Sequence, residues 1–447
     1  MNTTVGIIAE YNPFHNGHAY QLKKIRDVDP DATIAVIMSG SFTQRGTAAI
    51  LDKWTRARLA VKNGADLVLE LPYAFACRSA EHFARGGVQS LAALGMDVLA
   101  FGAETKDLKA LQTIACAMEK DAFQAALHDR IAQGASYATA LSDELVEHTN
   151  VDASVLHEPN NILAIEYLRA LSQYAPNIAP LLIHRKGAGY HDTKLSGTIA
   201  SASAIRKALN PQPPSSREGD REAVVGVAKI GSNTFSESTI ERKTLRRVMP
   251  ADVFAALCES FPNQQPHQFL LLRPLLARLL TMNTEHLQHI AGIGEGLEHR
   301  LLEKCSSLSL SSRTNEETWE HLTQSIATSR YPRSRIRRSL LHILTGFTQE
   351  VATSCDAGGP RYLRVLAMNA RGAALLHSAK KTARLPIITK TSQYMRSRDL
   401  LRPLDELSPL QQMLLFDVRA TELRNLALPV PQKASQDFLT SPHYVKQ

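Results

Sequence analysis

The sequence is poor in covalent staples. Its 447 residues hold five cysteines, Cys77, Cys116, Cys258, Cys305 and Cys355, with no C-x-x-C spacing among them. That argues against a disulfide framework and against a structural zinc site, and it fits a reducing, cytoplasmic setting. No apolar run is long enough to span a bilayer, so no membrane segment is expected. The start, Met1-Asn2-Thr3-Thr4, has no basic n-region, so no signal peptide is indicated. Neither the Walker nor the dinucleotide glycine fingerprint is present. No internal repeat is visible.

The remaining composition is that of a folded protein, 44% hydrophobic and 21% charged. The length allows two or three domains. The formal net charge of +8 points to a polyanionic partner.

The first half reads as strands alternating with helices. Val5–Ala9, Thr33–Met38, Asp66–Pro72, Asp97–Phe101 and Pro180–His184 have buried-strand patterns. Helical stretches lie between them. Asp52 and Ser79 stand at helix starts, and Gly64 and Gly95 follow helix ends. The order predicts an α/β fold, a doubly wound parallel sheet. In such sheets ligands bind beyond the carboxyl ends of the strands. Residues 211–222, inside the Pro/Ser-rich run Asn210–Gly219, read as a linker or exposed loop. Residues 223–447 read as a mainly α-helical region, with Leu385–Thr389 as a short β exception. The expected division is thus 1–210, linker, 223–447.

One stretch organises the first half: Asn12-Pro13-Phe14-His15-Asn16-Gly17-His18. It joins the first strand to the first helix. Pro13 and Gly17 punctuate the turn, and Asn16 is a candidate helix cap. The helix start offers free N–H groups and a positive dipole end to an anion. His15 and His18, three apart, can face the same anion. A second stretch, Ile199-Ala200-Ser201-Ala202-Ser203-Ala204-Ile205-Arg206, places two hydroxyls at a helix start and an arginine one turn on. Taken alone it is an ordinary capped helix.

The two stretches together resemble the H-x-G-H and I-S-S-T-x-I-R signatures of the nucleotidylyltransferase superfamily. The fuller wording is similar to the bacterial tRNA(Met) cytidine acetate ligase family, and that likeness runs along nearly the whole chain. The resemblance implies a Rossmann-like nucleotidylyltransferase domain in 1–210. It implies that His15, His18 and Arg206 are catalytic. ATP contacts would fall on Ile7, Ile8, Ala9, Glu10, Tyr11, Asn12, Pro13, Phe14, His15, Asn16, Gly17, His18, Ala19 and Tyr20, and on Gly102, Asn161, Arg185, Lys186, Ser201 and Ser203. The implied chemistry has two steps. Acetate attacks the ATP α-phosphate to give acetyl-adenylate, and the amine of cytidine 34 of elongator tRNA(Met) then takes the acetyl group. Mg²⁺ would arrive with ATP, since no dedicated metal motif is present. No Ser-His-Asp or Cys-His constellation is evident, and this chemistry needs none.

The second half carries Arg330-Tyr331-Pro332-Arg333-Ser334-Arg335-Ile336-Arg337-Arg338. Arginine forks phosphates and stacks on bases. A helix dipole opposes cations at its N-terminus, so packing and capping give no reason for the run. Arg330, Arg333, Arg335, Arg337 and Arg338 are therefore expected to contact tRNA. Two other readings stay open on the residues alone. One is a nucleotidylyltransferase for a small phosphorylated metabolite, which has no need of a basic helical half. The other is a non-catalytic RNA-binding protein, which has no need of His15, His18 and Arg206.

Overall fold

The computed structural model describes residues 3–135, 137–149, 151–185, 197–209, 239–261, 263–308 and 314–446. Lys186, the following stretch to Asp192 and the expected linker 211–222 lie outside the described residues.

Five strands come from the first half: β1 (Thr4–Ala9), β2 (Thr33–Ser39), β3 (Leu67–Leu71), β4 (Val98–Ala103) and β5 (Ala179–His184). Helices α1 (Asn16–Val28) and α2 (Lys53–Lys62) follow β1 and β2. Asp52 caps α2 by accepting the Thr55 N–H at 2.8 Å. Gly95 closes the Ala80–Leu94 helix at φ 80°, in the left-handed region that glycine enters freely.

The second half is less separate than its sequence suggests. β6 (Leu363–Met368), β7 (Ile387–Ile388) and β8 (His443–Tyr444) join the same sheet. The strand order is β5-β4-β1-β2-β3-β6-β7, with β8 also on β6. All pairs are parallel except β3–β6, which is antiparallel. The sheet is therefore mixed rather than wholly parallel. Residues 223–447 are mainly helical where they are described, as the sequence predicts, and β6, β7 and β8 from that region complete the sheet. The reason β6 escapes notice is its sequence, Leu-Arg-Val-Leu-Ala-Met, which lacks alternation and sits among helices.

Both faces of the sheet are covered, as its alternation requires. Ile34, Val36 and Met38 pack on one side with Val5, Ile7, α1 and α2 residues. Ala35 and Ile37 face the other, in a core that runs through to Phe416 and Leu423 of the Pro409–Leu426 helix. Glu70, near the end of β3, accepts from Lys53 at 2.7 Å and forms an ion pair with Arg364 of β6 at 3.0 Å. Asp437 accepts from Lys53 and forms an ion pair with Arg364, at 2.6 Å each. All four side chains are buried. The first half of the chain and its last segment are thus joined by a buried cluster of two cations and two carboxylates.

Candidate active site

β1 delivers its chain to the parallel strands' carboxyl end, and Asn12-Pro13 turns it back through a cis peptide bond. His15, not Asn16, caps α1. Its Nδ1 accepts the Gly17 N–H at 3.0 Å, and His18 Nδ1 accepts the His15 N–H at 3.2 Å. Asn16 is instead the first helical residue, and its amide donates to the carbonyls of Thr198 and Arg247 at 2.8 Å each. Gly17 is needed where it stands: a Cβ there would lie 2.8 Å from His15 Cε1.

The capping geometry fixes the tautomers. A neutral imidazole whose Nδ1 accepts carries its proton on Nε2. Both rings are held neutral. Burial first, then Arg185 and Arg206, push His15 down to about 3. Burial, His15 and Arg185 hold His18 well below its ordinary value. The rings stack with centroids 3.8 Å apart. Tyr11 and Phe14 brace His18 at 4.7 and 5.5 Å. The turn therefore offers two Nε2–H donors, on stacked rings, without a net charge.

Arg206 supplies the charge. It donates to the Asn12 carbonyl at 2.6 Å and to Ser203 Oγ at 3.2 Å. Asn12 Oδ1 in turn accepts the Ile50 N–H at 2.8 Å. Ser201 Oγ caps the Ala202–Leu209 helix by accepting the Ala204 N–H at 3.1 Å. Arg185 follows β5, its N–H on the Ala103 carbonyl at 3.0 Å and its Nε 3.6 Å from Glu104. Gly102 lets it lie close, since a Cβ there would meet Arg185 Cγ at 3.3 Å.

These groups surround two adjoining cavities. The first, about 500 Å³, is lined by His15, Gly17, His18, Tyr20, Gly102, Arg185 and Ser201 among the expected residues. The second, about 340 Å³, shares His15, His18, Gly102, Arg185 and Ser201, and adds Ile8 to Asn12, Ser203 and Arg206. Ile7, Pro13, Phe14, Asn16, Ala19 and Asn161 line neither. Ile7 and Phe14 belong to the core under the site. Asn161 is spent on the turn after β4: Oδ1 accepts from Glu104 and Thr105 N–H groups at 3.0 and 3.1 Å, and Nδ2 donates to Val155 at 3.0 Å. It shapes the wall from behind. Sequence reasoning missed Gln21, Lys106 and His184 in the first cavity and Phe83, Phe101 and Tyr167 in the second. They follow no motif; for Lys106, His184 and Phe101 the signal was their position at or just past a parallel strand's end.

A family model described as HIGH nucleotidyl transferase matches residues 1–438. A tRNA(Met) cytidine acetate ligase of Syntrophotalea carbinolica is 37% identical over 98% of both chains. One from Halothermothrix orenii is 35% identical over 97% of this chain and 98% of its own. This chain belongs to the tRNA(Met) cytidine acetate ligase family, within the HIGH nucleotidyl transferases. Among solved structures, Thermotoga maritima TmcAL bound with alpha-thio ATP is 27% identical with a TM-score of 0.81, covering both chains completely. The apo form of the same protein gives 0.83.

The family membership makes the basic helix worth placing. Arg333–Thr345 begins after Pro332, and its arginines do have protein partners. Arg333 and Arg337 pair with Glu320, the latter at 3.3 Å. Arg330 and Arg335 lie 3.5 and 3.7 Å from Glu295, and both sit over the Tyr331 ring. Arg338 donates to the Gln44 carbonyl at 3.2 Å. The expectation that packing gives no reason for these arginines is therefore corrected: Glu320, Glu295 and the Gln44 carbonyl offset the unfavourable dipole.

Proposed function

We propose that the protein activates acetate with ATP and acetylates the N4 amine of cytidine 34 in elongator tRNA(Met), giving N4-acetylcytidine, AMP and diphosphate. The family membership supports the ligase reading. The observation that carries the chemistry is the pair of neutral Nε2–H donors beside Arg206 at the mouth of two joined cavities.

Adenylation needs positioning and charge stabilisation more than a protein nucleophile. ATP would span the shared wall with its adenosine in the larger cavity. An acetate oxygen then attacks the α-phosphorus, and diphosphate departs with the electron pair. His15, His18 and Arg206 donate to the charge growing on the leaving oxygens, and Ser203 steadies Arg206. Mg²⁺ brought by ATP would screen the same phosphates. Among the described residues no cluster of three or more His, Cys, Asp or Glu could hold a metal alone, so its ligands would be chiefly ATP oxygens and water.

RNA placement would fall to the helices beyond residue 238, and adenylation to the residues before 210. Exposed ion pairs are worth roughly 0–1 kcal/mol, so Arg330, Arg333 and Arg335 can exchange a glutamate for a phosphate at little cost. Among the described residues no helix is long and apolar enough to cross a membrane. Free cysteines and a tRNA substrate suit the cytoplasm.

The test is nucleoside mass spectrometry after incubating protein, ATP, acetate and tRNA(Met). N4-acetylcytidine at the wobble position supports the reading. Its absence, with acetate-dependent diphosphate exchange intact, would move the acceptor elsewhere; absence of both would favour the small-metabolite alternative.

A further inference from the structure

The stretch after β1 feeds both cavities unequally. Tyr20 lines the larger, and Ile8 to Asn12 line the smaller. The smaller is lined by apolar Phe83, Phe101, Leu163 and Tyr167 as well as by Arg206. Among the residues lining it, Glu10 is the one carboxylate. Glu10 is also held in place twice. Its Oε1 accepts the Gln44 N–H at 2.6 Å, and its carbonyl accepts from Arg56 at 2.6 Å. Arg56 is itself buried and donates to the Leu51 carbonyl at 3.2 Å and to the Gly40 carbonyl.

Resting on the reading above, we propose that the smaller cavity receives the target cytosine and that Glu10 accepts the proton its exocyclic amine must lose. Three considerations converge. A carboxylate is the side chain that complements a cytosine N4 amine. RNA-modifying sites take a splayed-out base against aromatic and apolar walls, and Phe83, Phe101, Leu163 and Tyr167 line this cavity where the larger has Tyr20 with Ile183 and Ile199. The histidines that share the cavity are poor proton acceptors, since burial and neighbouring cations keep them neutral. The step balances without further reactants. The N4 lone pair forms the C–N bond to the acetyl carbon. The bond from that carbon to the phosphate oxygen breaks, and AMP leaves with its electron pair. The N4 proton passes to the Glu10 carboxylate and then to water.

Glu10→Gln tests this, because glutamine keeps an oxygen for Gln44 and cannot take the proton. Two rates are measured on the full-length protein: acetate-dependent diphosphate exchange into ATP, and single-turnover acetyl transfer to saturating tRNA(Met). The ratio of transfer to exchange should fall by about 100-fold or more, the usual contribution of a general base. Hydroxylamine, which needs no protein base, should still trap activated acetate as the hydroxamate. Glu10→Asp, which keeps the carboxylate, should recover part of the transfer. A wild-type ratio in Glu10→Gln would mean that departing AMP takes the proton, and the proposal falls. Equal loss of both rates would assign Glu10 to the ATP site and also overturns it. No exchange in the wild-type protein would instead sink the adenylation reading itself.

Discussion

The role proposed for the histidine pair, meeting phosphate without charge, has consequences at the level of single residues. His15→Ala or His18→Ala removes one Nε2–H donor each, and loss of one such donor costs roughly 10²–10³ in rate. Diphosphate exchange should fall by about that factor, while circular dichroism is unchanged. Near-normal exchange in the double variant would refute the assignment. The pH dependence of stability follows with a definite sign. His15 sits at about 3 when folded, against 6.5 when unfolded. Below pH 6.5 the unfolded chain takes up a proton that the folded one refuses. Stability should therefore drop by up to about 1.4 kcal/mol per pH unit from His15 between those values, and His18, also held well below its ordinary value, adds in the same direction. In His15→Asn, which can still cap α1, urea unfolding between pH 7 and 5 should lose that share of the slope. At this scale the motif residues were legible in the sequence, because His15, His18, Ser201, Ser203 and Arg206 carry their chemistry in their identities and spacing. The tautomers were not. They depend on which ring nitrogen meets which backbone N–H, and that required His15 rather than Asn16 at the cap. Asn161 is the reverse case. Its identity suggests a ligand, but its amide is consumed by the turn after β4.

At the scale of elements, we propose two functions for the arginine helix, divided along its length. Arg333 and Arg337 share Glu320 on the outer side. In the Arg333→Ala/Arg337→Ala variant, tRNA binding should weaken and the slope of log K against log salt should flatten by up to about two contacts' worth. ATP affinity should hold. A wild-type slope in filter binding would reduce the cluster to a solvated face. Arg338 is different. Gly46 packs against the backbone between Arg337 and Arg338, with room for no Cβ, and φ 72° suits glycine there. The Gln44 carbonyl takes Arg338, and the Gln44 N–H supports Glu10. Arg338→Ala should thus slow acetyl transfer at saturating tRNA while leaving tRNA affinity near normal. Equal effects on both would return Arg338 to the RNA surface. Element types were mostly readable, since β1 to β5 have buried-strand runs and polar punctuation. β6 was not, because Leu-Arg-Val-Leu-Ala-Met, a short and mostly apolar run without alternation, is compatible with helix or strand. What decides is the bare edge of β3, which only the fold supplies.

At the scale of the molecule, the buried quartet Lys53, Glu70, Arg364 and Asp437 makes the second half a structural partner of the first. Burial pushes the Asp437 carboxyl up, but Lys53 and Arg364 outweigh it and hold it at about 2. Removing one member of a buried ion cluster costs about 3–5 kcal/mol, because the remaining charges stay buried without balance. Asp437→Ala should lower the urea midpoint accordingly and reduce diphosphate exchange at growth temperature, although residue 437 is far from the nucleotide in sequence. An unchanged midpoint would mean that water screens the cluster.

The antiparallel seam between β3 and β6 also sets an order of events during synthesis. Every residue of β3 is buried in the finished sheet, and its outer hydrogen-bonding edge is closed only by β6. The ribosome emits the five parallel strands first and β6 long afterwards. Until then the nascent chain carries an apolar strand with one open edge, a template for pairing with a neighbour on the same message. Ribosome-bound chains arrested shortly before Leu363 should engage holdase chaperones strongly, and those released after Tyr444 should not.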